Sequence, residues 1–207
     1  RAHAAHGLEQ QAKHEFERIA GNYTFYGKLA ADVLHRPYAL GSSIKNPPQS
    51  QEIEAWEKDP SLARARALYR MHLYIEGHKE WNWGARTLKD RDFVVLAAYA
   101  KEKLLIHRMI NTSLRSGHDI VDIRQRYPMP HYALFSRVSQ AQQISLAWIY
   151  GLIRQESRFI PMVSSSVGAQ GLMQVMPATA DWLAKRLGVS AYDRSLLTGL
   201  EMNLVLG

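Results

Sequence analysis

Residues 145–159 read Ser145-Leu146-Ala147-Trp148-Ile149-Tyr150-Gly151-Leu152-Ile153-Arg154-Gln155-Glu156-Ser157-Arg158-Phe159. Ser145 is a helix-capping residue type, and Leu146, Ile149, Tyr150, Leu152 and Ile153 recur at the steps of one helical face. Glu156 continues that face, since Ile153 precedes it by three positions, Leu152 by four and Ile149 by seven. A carboxyl group on an apolar stripe is expected to lie in a dry cleft and to hold its proton long enough to donate it. The plain alternative is a helix-end glutamate that reaches water or pairs with Arg154 or Arg158.

Downstream, Ser164-Ser165-Ser166-Val167-Gly168-Ala169-Gln170-Gly171-Leu172-Met173-Gln174-Val175-Met176-Pro177 is rich in small residues and is expected to start as irregular chain. Gly168 and Gly171 permit positive φ and close backbone approach, and Pro177 suits the first turn of a helix over 178–187 that Gly188 closes. Gln174 offers amide donors and an acceptor for sugar hydroxyl or acetamido groups, while Met173 and Met176 offer adaptable apolar contact. Core filling is the simpler role for each methionine. A polar loop following an acid on an apolar face is nevertheless a site-like constellation.

Working back toward the start, the first 120 residues resolve into short amphipathic helices. Tyr23, Tyr26, Leu29, Ala30 and Val33 make one stripe. A second helix is expected from Ser61, as N-cap, to Ile75, and a third from Asp92 to Ile106. Gly41-Ser42-Ser43, Pro47-Pro48, Asp59-Pro60 and Ser116-Gly117 separate them. The pattern suggests helical hairpins stacked into a solenoid-like superhelix, with a plain bundle as the competitor because no repeat of fixed period is visible. Arg126-Tyr127-Pro128-Met129-Pro130 disfavours helix, and a domain boundary is placed there, dividing the chain into 1–126 and 127–207.

Composition narrows the function classes. The 207 residues are 46% apolar and carry a formal charge of +7, which favours anionic partners without choosing among them. Between 123 and 180 the only acidic side chain is Glu156, against the arginines Arg124, Arg126, Arg137, Arg154 and Arg158. The absence of cysteine excludes a disulfide framework, a thiolate zinc site and a cysteine nucleophile. The nine histidines show no metal-ligand spacing, and His3, His6 and His14 read as surface or tail residues. No apolar run is long enough to span a membrane, and no nucleic-acid-binding motif accompanies the positive charge. A start at Arg1-Ala2-His3, without an initiator Met or a signal-peptide pattern, is expected for a processed protein or a fragment.

Arg154-Gln155-Glu156-Ser157-Arg158-Phe159, followed by Ser165, Val167-Gly168-Ala169, Gly171-Leu172-Met173-Gln174, Met176-Pro177 and Thr179-Ala180, resembles the soluble lytic transglycosylase family in order and spacing over some 25 residues. Tyr127-Pro128 and the helix-rich first half resemble the same family's linker and α-superhelical region. The resemblance implies an all-α chain, a helical-hairpin superhelix followed by the N-terminal part of a lysozyme-like domain. It implies cleavage of the β-1,4 bond between N-acetylmuramic acid and N-acetylglucosamine, with 1,6-anhydro product ends and no metal or cofactor.

By the same resemblance Glu156 is the general acid and base, Ser157 supports it, and Ser165, Gln174 and Met176 contact sugar. Val167 and Met173 shape the groove, and Gly168 and Gly171 are supporting residues. The implied partners are peptidoglycan strands and other cell-wall enzymes, in the periplasm of a Gram-negative bacterium. The family's later Ala-Tyr-Asn-Ala-Gly motif does not occur before Gly207; Asn203 and Gly207 resemble the helix preceding it, so the chain is expected to stop partway through the catalytic fold. Two other readings stay open at this point: a hydrolytic muramidase, and a non-catalytic glycan-binding or scaffolding protein.

Overall fold

Asp59 and Pro60 open a hairpin of the first half by dividing two tasks between them. In the computed structural model, which describes residues 7–22, 24–38, 44, 46–117, 121–190 and 192–207, the Asp59 carboxylate accepts from the Ser61 and Leu62 amides at 2.8 and 2.9 Å. Pro60 occupies the first helical position, where a missing N–H is no loss. The cap is therefore Asp59, and Ser61 is buried inside the first turn, because a proline at the first position puts the cap one residue before it.

The helices in chain order are α1 (Glu9–Ile19), α2 (Phe25–Val33), α3 (Ser50–Ala55), α4 (Pro60–Arg70), α5 (Tyr74–Gly84), α6 (Asp90–Glu102), α7 (Ile106–Ser113), α8 (Ile123–Arg126), α9 (Tyr132–Gln142), α10 (Leu146–Glu156), α11 (Pro177–Arg186) and α12 (Leu200–Leu206). Short 3-10 turns cover Trp56–Lys58 and Arg194–Thr198. Among the described residues, strand-like pairing is confined to two isolated bridges, Ser164 with Gln170 and Gln170 with Val175. The chain is all-α, as its periodicity implies. Tyr23, Gly41-Ser42-Ser43, His3 and His6 lie outside the described residues.

Two compact units emerge: residues up to Tyr99 with Thr112–Arg126, and Ala100–Asn111 with Tyr127–Gly207. In the first, α2 buries Gly27, Ala30 and Ala31, while Tyr26 and Val33 of the expected stripe face solvent. Small residues win this face because a β-carbon at Gly27 would run into the Ile19 and Asn22 carbonyls. The helix expected over 61–75 ends at Arg70, since His72 turns left-handed (φ 60°) and sends the chain back as α5. Gly77 of α5 faces the Tyr69 ring of α4 with no room for a side chain. The fully buried Trp81 stacks near Tyr99 at 6.2 Å and donates its indole N–H to Thr112 Oγ1 at 3.0 Å. The helix expected over 92–106 likewise stops at Glu102, where Leu104 is left-handed (φ 57°).

This unit closes on a buried cation. Arg126 donates from Nε to the Ser113 carbonyl at 3.2 Å and from Nη2 to the Ser116 carbonyl and hydroxyl at 3.1 and 3.2 Å. Serving carbonyls at and beyond the C-terminus of α7, it satisfies groups that a helix end leaves without partners.

In the second unit one apolar cluster joins Ile110, Phe135, Ile149, Tyr150, Ile153, Phe159, Leu172 and Leu204. Another joins Val175, Ala180, Ala184, Leu197 and Leu206, and Met173 adjoins both. Each large side chain so buried contributes about 1.5–3 kcal/mol. The division between units falls after Arg126, and residues 100–111 group with the second unit rather than with the first.

Candidate active site

Helix α10 delivers Glu156. Ile149 and Ile153 point into the core, and Glu156, one turn beyond Ile153, occupies the last helical position. There the side chain is exposed, so the expected dry cleft does not surround it in this structure. The apolar stripe ends with Ile153 because a residue at the final turn has core on one side only. No described residue pairs with the carboxylate, and Arg154 is directed elsewhere, its guanidinium lying 4.7 Å from the centre of the Tyr127 ring. Burial pulls the Arg154 guanidinium below the usual arginine range.

Beyond Glu156 the backbone bends sharply. Ser157 is buried, donates its hydroxyl to the Ile153 carbonyl at 3.3 Å and accepts from the Phe159 amide at 3.2 Å. Arg158 and Phe159 are both left-handed, at φ 51° and 66°. Such residues store about 1–3 kcal/mol each where surrounding structure holds them. Here the return is burial of Phe159 and Ile160 directly after the helix, with Phe159 6.0 Å from Tyr150 ring to ring.

The segment 164–176 folds on itself. Ser165 Oγ accepts from the Ala169 amide at 3.0 Å, and the Ser165 amide donates to the Ala169 carbonyl at 2.9 Å. Val167 stands at the crest of this loop, 75% exposed, beside Gly168 at φ 92°. Gln170 and Val175 exchange backbone bonds at 3.0 Å around a turn that holds Gly171 (φ 76°) and Gln174 (φ 51°). Gln174 Nε2 donates to the Val163 and Gly171 carbonyls at 3.2 and 2.9 Å. Two carbonyl partners fix which end of the amide is nitrogen, and they leave only Oε1 for an external donor. Met176 caps α11 in extended conformation, 41% exposed, with Pro177 at the first helical position.

These pieces meet through the core. Ile153 and Phe159, on either side of Glu156, share a cluster with Leu172 of the turn, so the helix end and the loop are set on one apolar base. Met173 also faces an apolar cavity of about 370 Å³, lined by Trp148, Leu152, Leu183, Leu204 and Val205 among others; Glu156 is not in its wall. No group of three His, Asp or Glu able to hold a metal occurs among the described residues.

Sequence reasoning gave Asn203 no part in the site. It is fully buried, accepts from the Met173 amide at 2.7 Å and donates to the Gln170 and Leu197 carbonyls at 2.9 and 2.7 Å. The available signal was a lone amide between Met202 and Leu204 on an otherwise apolar segment, a position that demands partners.

Residues 133–207 match the family described as Transglycosylase SLT domain. Over 202 residues the chain is 28% identical to the Soluble lytic murein transglycosylase of Escherichia coli (strain K12), covering 97% of this chain and 31% of that protein. Its fold is similar to that of the lytic transglycosylase Slt from Pseudomonas aeruginosa, solved as an inactive glutamate-to-glutamine mutant, with TM-score 0.80, 28% identity and 99% and 33% of the two chains covered. The 70 kDa soluble lytic transglycosylase from Escherichia coli gives TM-score 0.77 at 25% identity, with the same shares covered. The chain thus spans about a third of the length of these relatives, and shares their all-α, lysozyme-like architecture.

Proposed function

Starting from a chain whose residues 133–207 match the family described as Transglycosylase SLT domain, we propose that the protein is a peptidoglycan lytic transglycosylase with Glu156 as its general acid and base. One observation carries the reading: the single acidic side chain between 123 and 180 ends a helix whose last core residue, Ile153, is packed in one cluster with the glycine-containing turn at Leu172. In support, the Pseudomonas relative was solved as an inactive mutant with a glutamate changed to glutamine.

Ordinary glycosidases use two carboxylates, one as acid and one as base or nucleophile. A site with one needs another nucleophile, and in this reading the substrate supplies it. Glu156 gives its proton to the oxygen between N-acetylmuramic acid and N-acetylglucosamine as the β-1,4 bond breaks, with the neighbouring acetamido group assisting. The muramic 6-hydroxyl then attacks its own anomeric carbon, and the Glu156 carboxylate takes the hydroxyl proton. A 1,6-anhydro end forms without water, and the residue returns to its starting state. Because Glu156 is exposed here, the bound glycan itself supplies the water exclusion that the proton transfer needs.

Ser165, the Oε1 of Gln174 and Met176 contact sugar in this reading. Val167 and Met173 shape the groove, Gly168 and Gly171 admit close backbone approach, and Ser157 fixes the chain behind the acid. The exposed Arg137 and Arg158 suit the lactyl and peptide carboxylates of the strand. The reaction would belong to the periplasm of a Gram-negative bacterium, require no cofactor, and run alongside other cell-wall enzymes. Residues 1–126 form the helical region and 127–207 the catalytic part.

The test is digestion of purified sacculi by the full-length protein and its Glu156→Gln variant, with products read by mass spectrometry. The variant should still bind sacculi and release nothing, and the wild type should release fragments with 1,6-anhydro ends. Reducing ends would identify a muramidase. Binding without any soluble product from the wild type would identify a scaffold.

A further inference from the structure

Asn203 sits on α12 among Leu204 and Leu206, fully buried, with both N–H groups and the oxygen of its amide engaged. Its two N–H groups go to the Gln170 and Leu197 carbonyls and its oxygen takes the Met173 N–H, so two carbonyls and one amide hydrogen fix its orientation. Two of these partners lie in the turn 170–174, which belongs to a different element from the asparagine. The same side chain also occupies the space beside Gly171: a β-carbon there would overlap Asn203 Nδ2 and stand 2.9 Å from the Leu197 carbonyl oxygen. Gly171 is therefore required twice, by its left-handed backbone and by the amide against it.

The chain of contact continues to the proposed sugar-binding groups. Gly171 presents its carbonyl to the Gln174 amide nitrogen, and this bond, with the one to Val163, engages the nitrogen end and leaves the Gln174 oxygen as the remaining acceptor. Met173, held through its backbone by Asn203, places its side chain between the two apolar clusters of the unit. Resting on the transglycosylase reading, we propose that Asn203 is a positioning residue for glycan binding: it sets the turn that carries Met173 and Gln174 and touches no substrate itself. An apolar replacement leaves the Leu197 carbonyl and the Met173 N–H without their partner and the Gln170 carbonyl with Val175 alone, and the turn relaxes to find water.

The test uses the full-length protein digesting murein glycan strands, with amide hydrogen exchange at Met173 as a second readout. Asn203→Ala should raise KM about tenfold while changing kcat much less, the signature of lost binding and not of lost proton transfer. Exchange at the Met173 amide should accelerate in parallel. Gly171→Ala should give the same pattern, and the double variant should be less impaired than the two singles combined, because removing the amide relieves one of the two costs of the methyl group and leaves the left-handed backbone strain. Ile110→Val, a core change that leaves all polar contacts of the turn intact, should lower the melting temperature without moving KM.

Unchanged KM and Met173 exchange in Asn203→Ala, additive effects in the double variant, or an equal KM rise in Ile110→Val would each overturn the proposal while the wild type still digests murein. A wild type that releases nothing overturns the functional reading, and this proposal with it.

Discussion

Tyr150 donates its phenolic hydrogen to the carbonyl of Pro130 at 2.8 Å, tying the Tyr127–Pro130 segment to α10 four residues before Arg154 reaches back over Tyr127. Burial, the leading cause, pushes the phenol from its ordinary value of 10.0 up to about 12. Folding thus favours the protonated ring. Its contribution to stability is whole below pH 10 and is lost as pH climbs toward the folded value. Tyr150→Phe should cost about 1 kcal/mol at neutral pH, since the Pro130 carbonyl loses its partner. Denaturant titrations at pH 7 and near pH 12 should show that deficit shrinking in alkali; a constant deficit would refute the assignment.

Gly77→Ala should destabilise the α4–α5 hairpin although alanine is the better helix former. The methyl group would enter the Tyr69 ring, and overpacking of this kind costs about 1–3 kcal/mol, more than the propensity gain of up to ~1 kcal/mol. Thermal melts of Gly77→Ala, Tyr69→Ala and the double variant are the check. The double should be more stable than the sum of the singles implies, because without the ring the methyl group has space.

At the end of α10 the two left-handed residues should respond in opposite directions. Arg158→Gly relieves a backbone penalty of about 1–2 kcal/mol and touches no core contact, so stability should hold or rise. Phe159→Ala removes a ring buried beside Tyr150 and should cost about 3 kcal/mol or more. Equilibrium unfolding distinguishes them, and a destabilised Arg158→Gly would mean that the bend is held by contacts of the arginine.

Gln174→Glu tests whether the amide serves the loop as much as any ligand. A carboxylate would face the Val163 and Gly171 carbonyls with no hydrogen to give, so about 1–3 kcal/mol should be lost from the second unit before any sugar is added. Gln174→Met, apolar and of similar length, leaves the two carbonyls with only their backbone partners, the Gly171 and Gln174 amides, and adds no charge, so it should be milder. Unfolding midpoints of both variants without glycan decide it.

The helix that ends at Glu156 was legible because five apolar residues at helical steps mark a single face, and Pro177 announced α11 by its fixed φ. Left-handed turns at ordinary residues were not legible. His72 and Leu104 carry no sequence mark of a break, so the hairpins they create read as continuous helices. The face of α2 was misjudged for a related reason: close approach of α1 and α2 rewards Gly27, Ala30 and Ala31, which hydrophobic periodicity undervalues. Glu156 illustrates the limit at the site. Its register follows from spacing, but whether a last-turn residue is covered depends on what lies across from it, which the register does not contain.

Arg126 lies where the two compact units divide, the place where limited proteolysis is usually aimed. Its guanidinium is withdrawn into hydrogen bonds with Ser113 and Ser116, so trypsin finds no side chain to seat there until that end of the unit opens. Arg124, two residues earlier and largely exposed, is the accessible basic residue of the pair. Early tryptic fragments should therefore begin at Gln125 and not at Tyr127, so that the junction is best separated by cloning rather than by digestion.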